Sequence, residues 1–309
     1  MIVTLTVNPA IDRTITVDRL VFDDRAYITS SSESAGGRGI NSACVIHAFG
    51  GKTLAVVLAG GKSGARLEKF LTCCGFEVAV VPTRSEVRTN IVITDKQGLT
   101  VKLNEPGAPV HKEELTQLEK VIREKLEGAS WLMICGSIPP GMPPSFYAKL
   151  IELARKRGVK TLLDTDGEAL EAGIKAKPTV VTPNQAEAER LLNTALLTRN
   201  HFVQATERIR ALGAETVILS LGSRGAMAAF DHRMMEALAP RIDAVSPIGA
   251  GDAMAAAFAW AMEKKDDYAD ALRWAVAAGT ASAKLPGLHF ATLAQTEEVY
   301  KHVEIRQVE

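Results

Sequence analysis

Short β-branched runs alternate with longer helical segments over most of this chain, from residue 52 onward. Strands are predicted over residues 53–58, 76–81, 131–135, 161–164, 180–182 and 216–220. Helices are predicted over residues 64–74, 112–126, 144–157, 186–192 and 203–212, and after residue 252. Because strands that alternate with helices assemble into a parallel sheet covered on both faces, the sequence predicts an α/β fold with three layers, α/β/α.

Further strands interrupt this alternation. Residues 14–20 and 26–31 precede it, and residues 88–94 and 100–103 flank D-K-Q-G, a sequence typical of a hairpin. We expect these strands to form a small β lid, built from about residues 13–34 and 87–104, within a single domain that spans residues 1–309. Because a lid of open strands exposes unpaired edges, we predict a homodimer in which two lids are in contact.

Composition and charge exclude several classes of protein. The 309 residues include 36 basic and 36 acidic side chains, so no net field favours nucleic acid or an anionic membrane as a partner. The four cysteines lack the spacing of zinc ligands, which indicates reduced thiols. The first residues predict a strand rather than a signal peptide, and no apolar run reaches the roughly 18 residues of a membrane span. We therefore expect a soluble, cytoplasmic protein.

The stretch from Val245 to Met262 joins a turn to an alanine-rich helix. Gly249 and Gly251 flank Ala250, and the acid Asp252 follows directly. The N–H groups at such a helix start form an anion-binding site. Asp252 is either a first-turn acid that stabilises the helix, or a general base that takes a proton from a hydroxyl beside a transferred phosphoryl group. On this stretch alone, the first interpretation is favoured.

Polar and glycine residues follow several predicted strands, at the edge where parallel sheets bind their ligands. Four of them, each after a different strand, are Asp12, Ser137, Asn184 and Gly222. Because the carboxyl ends of parallel strands meet at one edge, we expect these residues to lie close together. Their convergence favours Asp252 as a general base.

Six motifs occur along the chain: G-G-R-G-I-N (36–41), G-S-I-P-P-G (136–141), D-G-E-A-L (166–170), P-N-Q-A-E (183–187), S-L-G-S-R-G-A (220–226) and I-G-A-G-D-A (248–253). In this order they make the chain resemble the ribokinase-like sugar kinases of the phosphofructokinase-B family over nearly its whole length. The start T-V-N-P-A-I-D-R-T and the R-T-N at 88–90 are most similar to the branch that acts on sugar phosphates. The resemblance implies a ribokinase-like fold with a β lid, and a kinase that uses ATP and Mg²⁺.

The resemblance also implies which residues bind a phosphorylated sugar. Asp12 and Asn41 would hydrogen-bond sugar hydroxyls, Gly37 would allow close approach, and Ser137 would contact the sugar phosphate. The phosphate needs cations, which arginine supplies through forked hydrogen bonds. The candidates are Arg25, Arg38, Arg88 and the lid residue Lys102. Each arginine alone is commonly a solvated surface charge, but three in motif positions favour phosphate binding.

A second set of residues is implied for catalysis and nucleotide binding. Asp252 resembles the base, and the N–H groups of Gly249, Ala250 and Gly251 resemble the anion hole for the moving phosphoryl group. Asn184 and Glu187 match an N-x-x-E motif that organises Mg²⁺ largely through water, although the pair also fits a helix cap. The residues of the implied nucleotide shelf are Ser220, Gly222 and Gly225.

The sequence thus predicts a kinase that transfers the γ-phosphoryl group of ATP to a hydroxyl of a ketohexose phosphate. Fructose 1-phosphate is the first candidate acceptor, followed by tagatose 6-phosphate and fructose 6-phosphate. A kinase of a free sugar or nucleoside is the next alternative, but a neutral acceptor needs no arginines. The last alternative is a protein that binds sugar phosphate without turnover. Thr182, where the family often has lysine, supports that alternative, and the intact Asp252 argues against it.

Overall fold

A computed structural model describes residues 1–21, 23–231 and 233–308; Phe22 of the predicted lid, His232 and Glu309 lie outside the described residues. The strands are β1 Ile2–Thr6, β2 Ala10–Val17, β3 Ile28–Gly36, β4 Thr53–Gly60, β5 Glu77–Thr83, β6 Arg88–Asp95, β7 Thr100–Asn104, β8 Trp131–Cys135, β9 Lys160–Asp164, β10 Val180–Val181, β11 Thr216–Ser220, β12 Ala226–Phe230, β13 Arg233–Leu238 and β14 Glu304–Val308. The α-helices are α1 Arg38–Ala48, α2 Gly61–Thr72, α3 Lys112–Lys125, α4 Ser145–Arg155, α5 Gly167–Lys175, α6 Gln185–Leu192, α7 Arg199–Ala211, α8 Ala250–Lys265, α9 Tyr268–Ala283 and α10 Leu293–Tyr300.

The larger sheet has the strand order β14-β13-β12-β11-β10-β9-β8-β1-β4-β5. Its strands are parallel from β11 through to β5, and β12, β13 and β14 add to one edge in antiparallel fashion. The mainly parallel sheet predicted from the alternation is therefore confirmed. Consecutive crossovers bring the carboxyl ends of the parallel strands to one edge, where the site residues lie.

Both faces of the larger sheet are buried, and β8 shows how. Leu132 and Ile134 pack in a core formed with helices α3 to α7. Trp131, Met133 and Cys135 point to the other face, where the core is formed with α1, α8 and α9. Because successive residues of a strand face opposite sides, a strand buried on both sides is apolar throughout, as β8 is. The three-layer α/β/α arrangement is confirmed.

The smaller sheet has the order β3-β2-β6-β7, in which β2 and β6 are parallel and the outer pairs antiparallel. The predicted hairpin between β6 and β7 is confirmed, and Asp95 Oδ1 accepts the N–H groups of Gln97 and Leu99 in its turn. The predicted bounds of the first two lid strands were wrong by several residues. β3 continues through the polar run S-S-S-E-S, whose side chains are mostly exposed. Pairing with β2, rather than an apolar pattern, holds these residues in a strand.

The sequence analysis missed two elements, α5 and β14. Helix α5 begins at a glycine and contains Gly173, and glycine lowers helix propensity. A Cβ on Gly173 would lie 2.5 Å from Leu163 Cδ2, so this glycine lets α5 pack closely on β9. Strand β14 is an edge strand with mostly exposed side chains, and its pairing with β13 defines it. None of the helices in the described ranges has the length and apolarity required to cross a bilayer.

Candidate active site

The turn before α8 requires glycine at position 249. Gly249 has a φ of 77°, and a Cβ there would lie 2.8 Å from both Leu288 Cδ1 and Phe290 Cε1. Backbone conformation and space therefore both exclude a side chain. Gly251, in contrast, faces open space, since no heavy atom of the described residues outside its chain neighbours and its own helix backbone lies within 4 Å of an added Cβ. The first turn of α8 is thus open to a ligand.

Asp252 lies in this first turn and is only 9% exposed. Its Oδ2 accepts a hydrogen bond of 2.7 Å from Asn41 Nδ2, which joins α8 to α1. Burial, and after it the negative charge of Asp164, raise the pKa of Asp252 to about 7. A carboxyl group with this pKa can take a proton from a hydroxyl near neutral pH, as a general base must.

The backbone N–H groups beside Asp252 differ in availability. Ala250 N–H donates to the carbonyl of Pro247 at 3.3 Å and closes the turn. Gly251 N–H donates to no acceptor within the described part of the chain, as expected for the first turn of a helix. Of the anion-hole groups predicted from the sequence, Gly251 is therefore free and Ala250 is engaged. The anion hole itself stays a prediction.

Asp12, which follows the first predicted strand in the sequence, lies within strand β2 of the lid. Its register partner in β6 is Asn90, which donates from Nδ2 to Asp12 Oδ1 at 2.9 Å. Burial raises the pKa of Asp12, while Asn90 and the charge of Arg88 act in the other direction. Asn90 Oδ1 is buried without a hydrogen-bond partner among the described residues. The pair is therefore a polar site on the lid suited to hydroxyl groups.

Two glycines make room where the lid meets α1. A Cβ on Gly36 would lie 2.2 Å from the carboxyl group of Asp12. Gly37 has a φ of 131°, and a Cβ there would lie 2.6 Å from Thr6 Cγ2. Gly37 is thus required by the packing of the chain itself. Its predicted role in the approach of a sugar stays a prediction.

Arg88 and Ser137 are brought together by Asn8, which the sequence analysis missed. Arg88 donates from Nη1 to the carbonyl of Glu105 at 2.7 Å and from Nη2 to the carbonyl of Asn8 at 3.0 Å. The Asn8 side chain donates to Ser137 Oγ at 3.2 Å and to the carbonyl of Pro106 at 3.1 Å. Arg88 Nε is buried without a partner in the described chain. The only sequence signal was a polar residue at the end of β1.

Arg38 was predicted to bind the sugar phosphate, but its guanidinium lies among carboxylates. It lies 3.0 Å from Asp164, 3.3 Å from Asp166 and 3.2 Å from Glu187. The charge of Asp164, opposed by burial and supported by the other acids, raises the pKa of Arg38. The structure therefore commits this arginine to three acids rather than to a free anion site.

Arg25 and Lys102 lie in exposed parts of the lid. Arg25 lies between β2 and β3, and Lys102 lies in β7 opposite Val92. Neither side chain forms an ion pair or hydrogen bond within the described ranges. Of the three predicted arginines, Arg88 is linked to Ser137 through Asn8, and the side chain of Arg38 passes Gly136 while its guanidinium pairs with the acids. Phosphate binding by Arg25 and Lys102 stays a prediction.

Asn184 and Glu187 form a reciprocal cap at the start of α6. Asn184 Oδ1 accepts Glu187 N–H at 2.9 Å, and Glu187 Oε2 accepts Asn184 N–H at 2.9 Å. The helix-cap interpretation is therefore confirmed for this pair. Both remaining functions proposed for the pair, nucleotide binding and Mg²⁺ contact through water, stay predictions.

The residues predicted for the nucleotide shelf follow β11. Ser220 ends this strand and pairs in parallel fashion with Asn184. Gly225 has a φ of 97°, and a Cβ there would lie 1.9 Å from the carbonyl oxygen of Ala237. Gly222 has a φ of 62° with open space around it. Gly225 is thus a packing requirement, whereas Gly222 is free to contact a ligand.

A small cavity separates β11 from the first turn of α8. Its lining residues are Thr182, Ile218, Ser220, Gly251, Met254, Ala255 and Ala275. Thr182 Oγ1 is buried there without a hydrogen-bond partner in the described chain. The cavity therefore connects the predicted shelf to the free N–H of Gly251. Met254 and Ala255 were missed because they look like ordinary core residues of a helix.

Comparisons with known proteins agree with this architecture. Residues 4–294 match the pfkB family carbohydrate kinases. The ATP-dependent 6-phosphofructokinase isozyme 2 of Escherichia coli (strain K12) is 30% identical over 305 residues, which are 98% of each chain. A crystal structure of phosphofructokinase-2 from Escherichia coli in complex with potassium has a TM-score of 0.91 and covers 97% of this chain and 98% of that chain at 30% identity.

Two more distant structures bear on the fold alone. A possible 1-phosphofructokinase from Thermotoga maritima has a TM-score of 0.92 at 24% identity and covers 100% of this chain and 99% of that chain. A ribokinase from Arabidopsis thaliana has a TM-score of 0.76 at 21% identity, with coverage of 97% and 98%. The fold is therefore ribokinase-like, as predicted. With the family match over residues 4–294 and the 30% identity along the whole chain, this protein belongs to the pfkB family of carbohydrate kinases.

Proposed function

We propose that this protein transfers the γ-phosphoryl group of ATP to a hydroxyl of a ketohexose phosphate. The observation that carries the proposal is the buried Asp252, which has a pKa of about 7 and lies beside the free N–H of Gly251. Phosphoryl transfer needs mainly positioning and charge stabilisation, and a base and an anion-binding N–H at one helix start supply both. Membership of the pfkB family supports the same reaction class.

The polar residues of the lid and the loops beside it support a proposed position for the acceptor. Its hydroxyls would lie at Asp12 and Asn90, and its phosphate at Arg88 and Ser137. Arg88 Nε is buried and has no partner among the described residues, so it is available to donate to a phosphate oxygen of the acceptor, which supports a phosphorylated sugar. Fructose 1-phosphate is proposed first from the N-terminal motif. Fructose 6-phosphate is the second candidate, supported by the relative named a 6-phosphofructokinase.

The proposed proton transfer uses the two oxygens of Asp252 differently. Asn41 holds Oδ2, so Oδ1 is left to accept the proton of the acceptor hydroxyl. The acceptor oxygen then bonds to the γ-phosphorus while the bond to the β,γ-bridging oxygen breaks and ADP leaves, and the Gly251 N–H would stabilise the charge on the moving phosphoryl group. When bound with ATP, Mg²⁺ would neutralise charge on the β- and γ-phosphates. Because the oxygens of Asn184 and Glu187 already accept hydrogen bonds from the protein, we expect them to contact this ion through water rather than directly.

A coupled ADP-release assay with Mg-ATP tests the proposal. The panel holds fructose 1-phosphate, fructose 6-phosphate, tagatose 6-phosphate, free fructose, ribose and adenosine. We expect turnover on a ketohexose phosphate that Asp252→Asn abolishes and that Asp243→Asn, an exposed control, retains. Turnover only on a neutral acceptor would contradict the assignment of Arg88. No turnover on any acceptor, with sugar phosphate still raising the Tm, would favour a binding protein.

A homodimer through the lids is part of the same proposal. Four apolar side chains of the lid are more than half exposed: Tyr27, Ile28, Leu99 and Leu103. β3 and β7 are open edges of the lid sheet. One Escherichia coli relative is described as a tetrameric inhibited form, so assembly occurs among the relatives.

By light scattering at micromolar concentration, we expect a dimer that Leu103→Lys dissociates and Leu197→Lys, elsewhere on the surface, leaves intact. A monomeric wild type would contradict the proposal.

A further inference from the structure

Arg38 joins four elements through one guanidinium group. Its Nη1 lies 3.0 Å from Asp164 Oδ1, and its Nη2 lies 3.3 Å from Asp166 Oδ2 and 3.2 Å from Glu187 Oε1. Asp164 ends β9, Asp166 caps the start of α5, and Glu187 lies in the first turn of α6. Arg38 itself is the first residue of α1. A positive charge therefore lies where the sequence predicted the contact with Mg²⁺.

The oxygens of the predicted metal pair are already in use. Glu187 Oε1 accepts from Arg38, and its Oε2 accepts from Asn184 N–H. Asn184 Oδ1 accepts from Glu187 N–H. Across the described ranges, no group of three or more His, Cys, Asp and Glu side chains is arranged to hold a metal ion. These residues thus do not fit a directly bound Mg²⁺ while Arg38 is in place.

The burial of the acids explains why a cation is needed here. The side chain of Asp164 is 9% exposed and that of Glu187 is 3% exposed, whereas Asp166 is more accessible. A buried carboxylate without a countercharge strongly destabilises a fold. Arginine suits this position because its planar guanidinium is always charged and donates to several oxygens at once. A metal ion is the other common countercharge for converging carboxylates, but these three acids would have to move closer together to hold one.

We propose that Arg38 is a resident countercation for the cluster of Asp164, Asp166 and Glu187, so that the nucleotide-free protein binds no divalent cation there. The metal then arrives only as a complex with ATP, and Arg38 acts as a positioning residue that holds Glu187 ready for it. The inference rests on the proposed function, since it concerns the metal of the kinase reaction. It is tested without ATP or sugar, so its failure is distinguishable from a failure of that function.

The experiment measures Mn²⁺ binding to the nucleotide-free protein by electron paramagnetic resonance. Wild type is compared with Arg38→Lys, Arg38→Met and the double variant Arg38→Met with Glu187→Gln. Arg123→Met removes a guanidinium from an exposed ion pair on α3 and is the matched control. We expect Arg38→Met to gain one Mn²⁺ site that wild type lacks, with an affinity at least roughly tenfold above any residual Mn²⁺ binding by wild type, because one positive charge has left a group of acids that can then close on the ion. The double variant is expected to lose this site.

Arg38→Lys is expected to lie between wild type and Arg38→Met, because its ammonium keeps the charge but reaches fewer carboxylates at once. Circular dichroism and the Tm establish that each variant is folded. Mn²⁺ binding to wild type as tight as to Arg38→Met would overturn the proposal. Absence of any new site in folded Arg38→Met would overturn it too. If Arg38→Met does not fold, a folded Arg38→Lys that binds Mn²⁺ no better than wild type would likewise overturn the proposal.

Discussion

Two substitutions beside Asp252 should move the pH dependence of turnover in opposite directions. Asp252 must be ionised to accept a proton, so kcat/KM is expected to rise with pH and to level off above a pKa of about 7. Burial is the main cause of this raised pKa, and the charge of Asp164 adds to it. Asn41 acts in the opposite direction, because it donates a hydrogen bond of 2.7 Å to the ionised carboxylate.

The magnitudes follow from these contacts. A hydrogen bond to a charged group contributes about 1.5 to 3 kcal/mol, and about 1.4 kcal/mol corresponds to one pH unit. Asn41→Ala should therefore move the midpoint of the acidic limb upward by about one to two units. Asp164→Asn removes the negative charge that opposes ionisation and leaves Arg38 less neutralised. It should move the midpoint downward by about one unit.

The assay is kcat/KM for the preferred acceptor at saturating ATP, measured from about pH 5 to about pH 9 at constant ionic strength. The pH dependence of kcat/KM reports the pKa of the free enzyme. Weaker sugar binding by Asn41→Ala would therefore lower kcat/KM at every pH without moving the midpoint. Asn200→Ala and Asp243→Asn, both exposed, serve as controls with the same side-chain changes. Midpoints that shift in the same direction in both variants, or an acidic limb that does not move, would refute the electrostatic reasoning.

Three other predictions concern stability and positioning. The folded protein keeps the proton of Asp252 from about pH 3.8 to about pH 7 while the unfolded chain loses it, so the free energy of unfolding falls across this window. Asp252→Asn should accordingly raise the free energy of unfolding at pH 8 by at most about 4 kcal/mol and leave it unchanged at pH 4. Urea unfolding at the two pH values measures this, and an equal change at both would contradict the prediction. Asn8→Ala should raise the KM for sugar phosphate more than it lowers kcat, because its side chain holds Ser137; equal effects on both constants would contradict this. Gly225→Ala should lower the Tm sharply, because its Cβ would meet a carbonyl of β13. Gly222→Ala should lower the free energy of unfolding by only about 1 kcal/mol, because its surroundings are open. Equal losses of Tm in the two variants would contradict this.

The main sheet could be predicted from the sequence because its strands are buried on both faces. Burial on both sides gives uninterrupted apolar runs such as Trp131–Cys135, and the helices between them have their own period. The lid strands carry no such signal. Strand β3 is mostly exposed and polar, and its hydrogen bonds with β2 hold it in place. Its bounds therefore follow from this pairing and not from the pattern of its own residues. Edge strand β14 was missed for the same reason.

The candidate site was predictable where a motif fixes the backbone. Asp252 and the glycine at 249 follow from one turn, and the turn is local in the sequence. The partners of Arg38 are 126 to 149 residues away, and nothing local indicates that three acids converge on it. Asn8 was missed similarly, since its contact with Ser137 spans 129 residues. Long-range polar contacts carry no periodic signal, so only the structure reveals them.

Asp252, the proposed base, and the acid cluster form one electrostatic unit because Asp164 acts on both. Asp164 pairs with Arg38 and also raises the pKa of Asp252, after the larger contribution of burial, while the charge of Arg38 lowers that pKa. Because the charges of Asp164 and Arg38 lie 3.0 Å apart, their opposite effects on the pKa of Asp252 partly cancel. A lysine in place of Arg38 would alter this compensation, because its ammonium lacks the planar fork with which arginine reaches different carboxylates at once. Arg38, which we propose keeps free metal from the cluster, therefore also lowers the pKa of Asp252 against the larger effects of burial and Asp164.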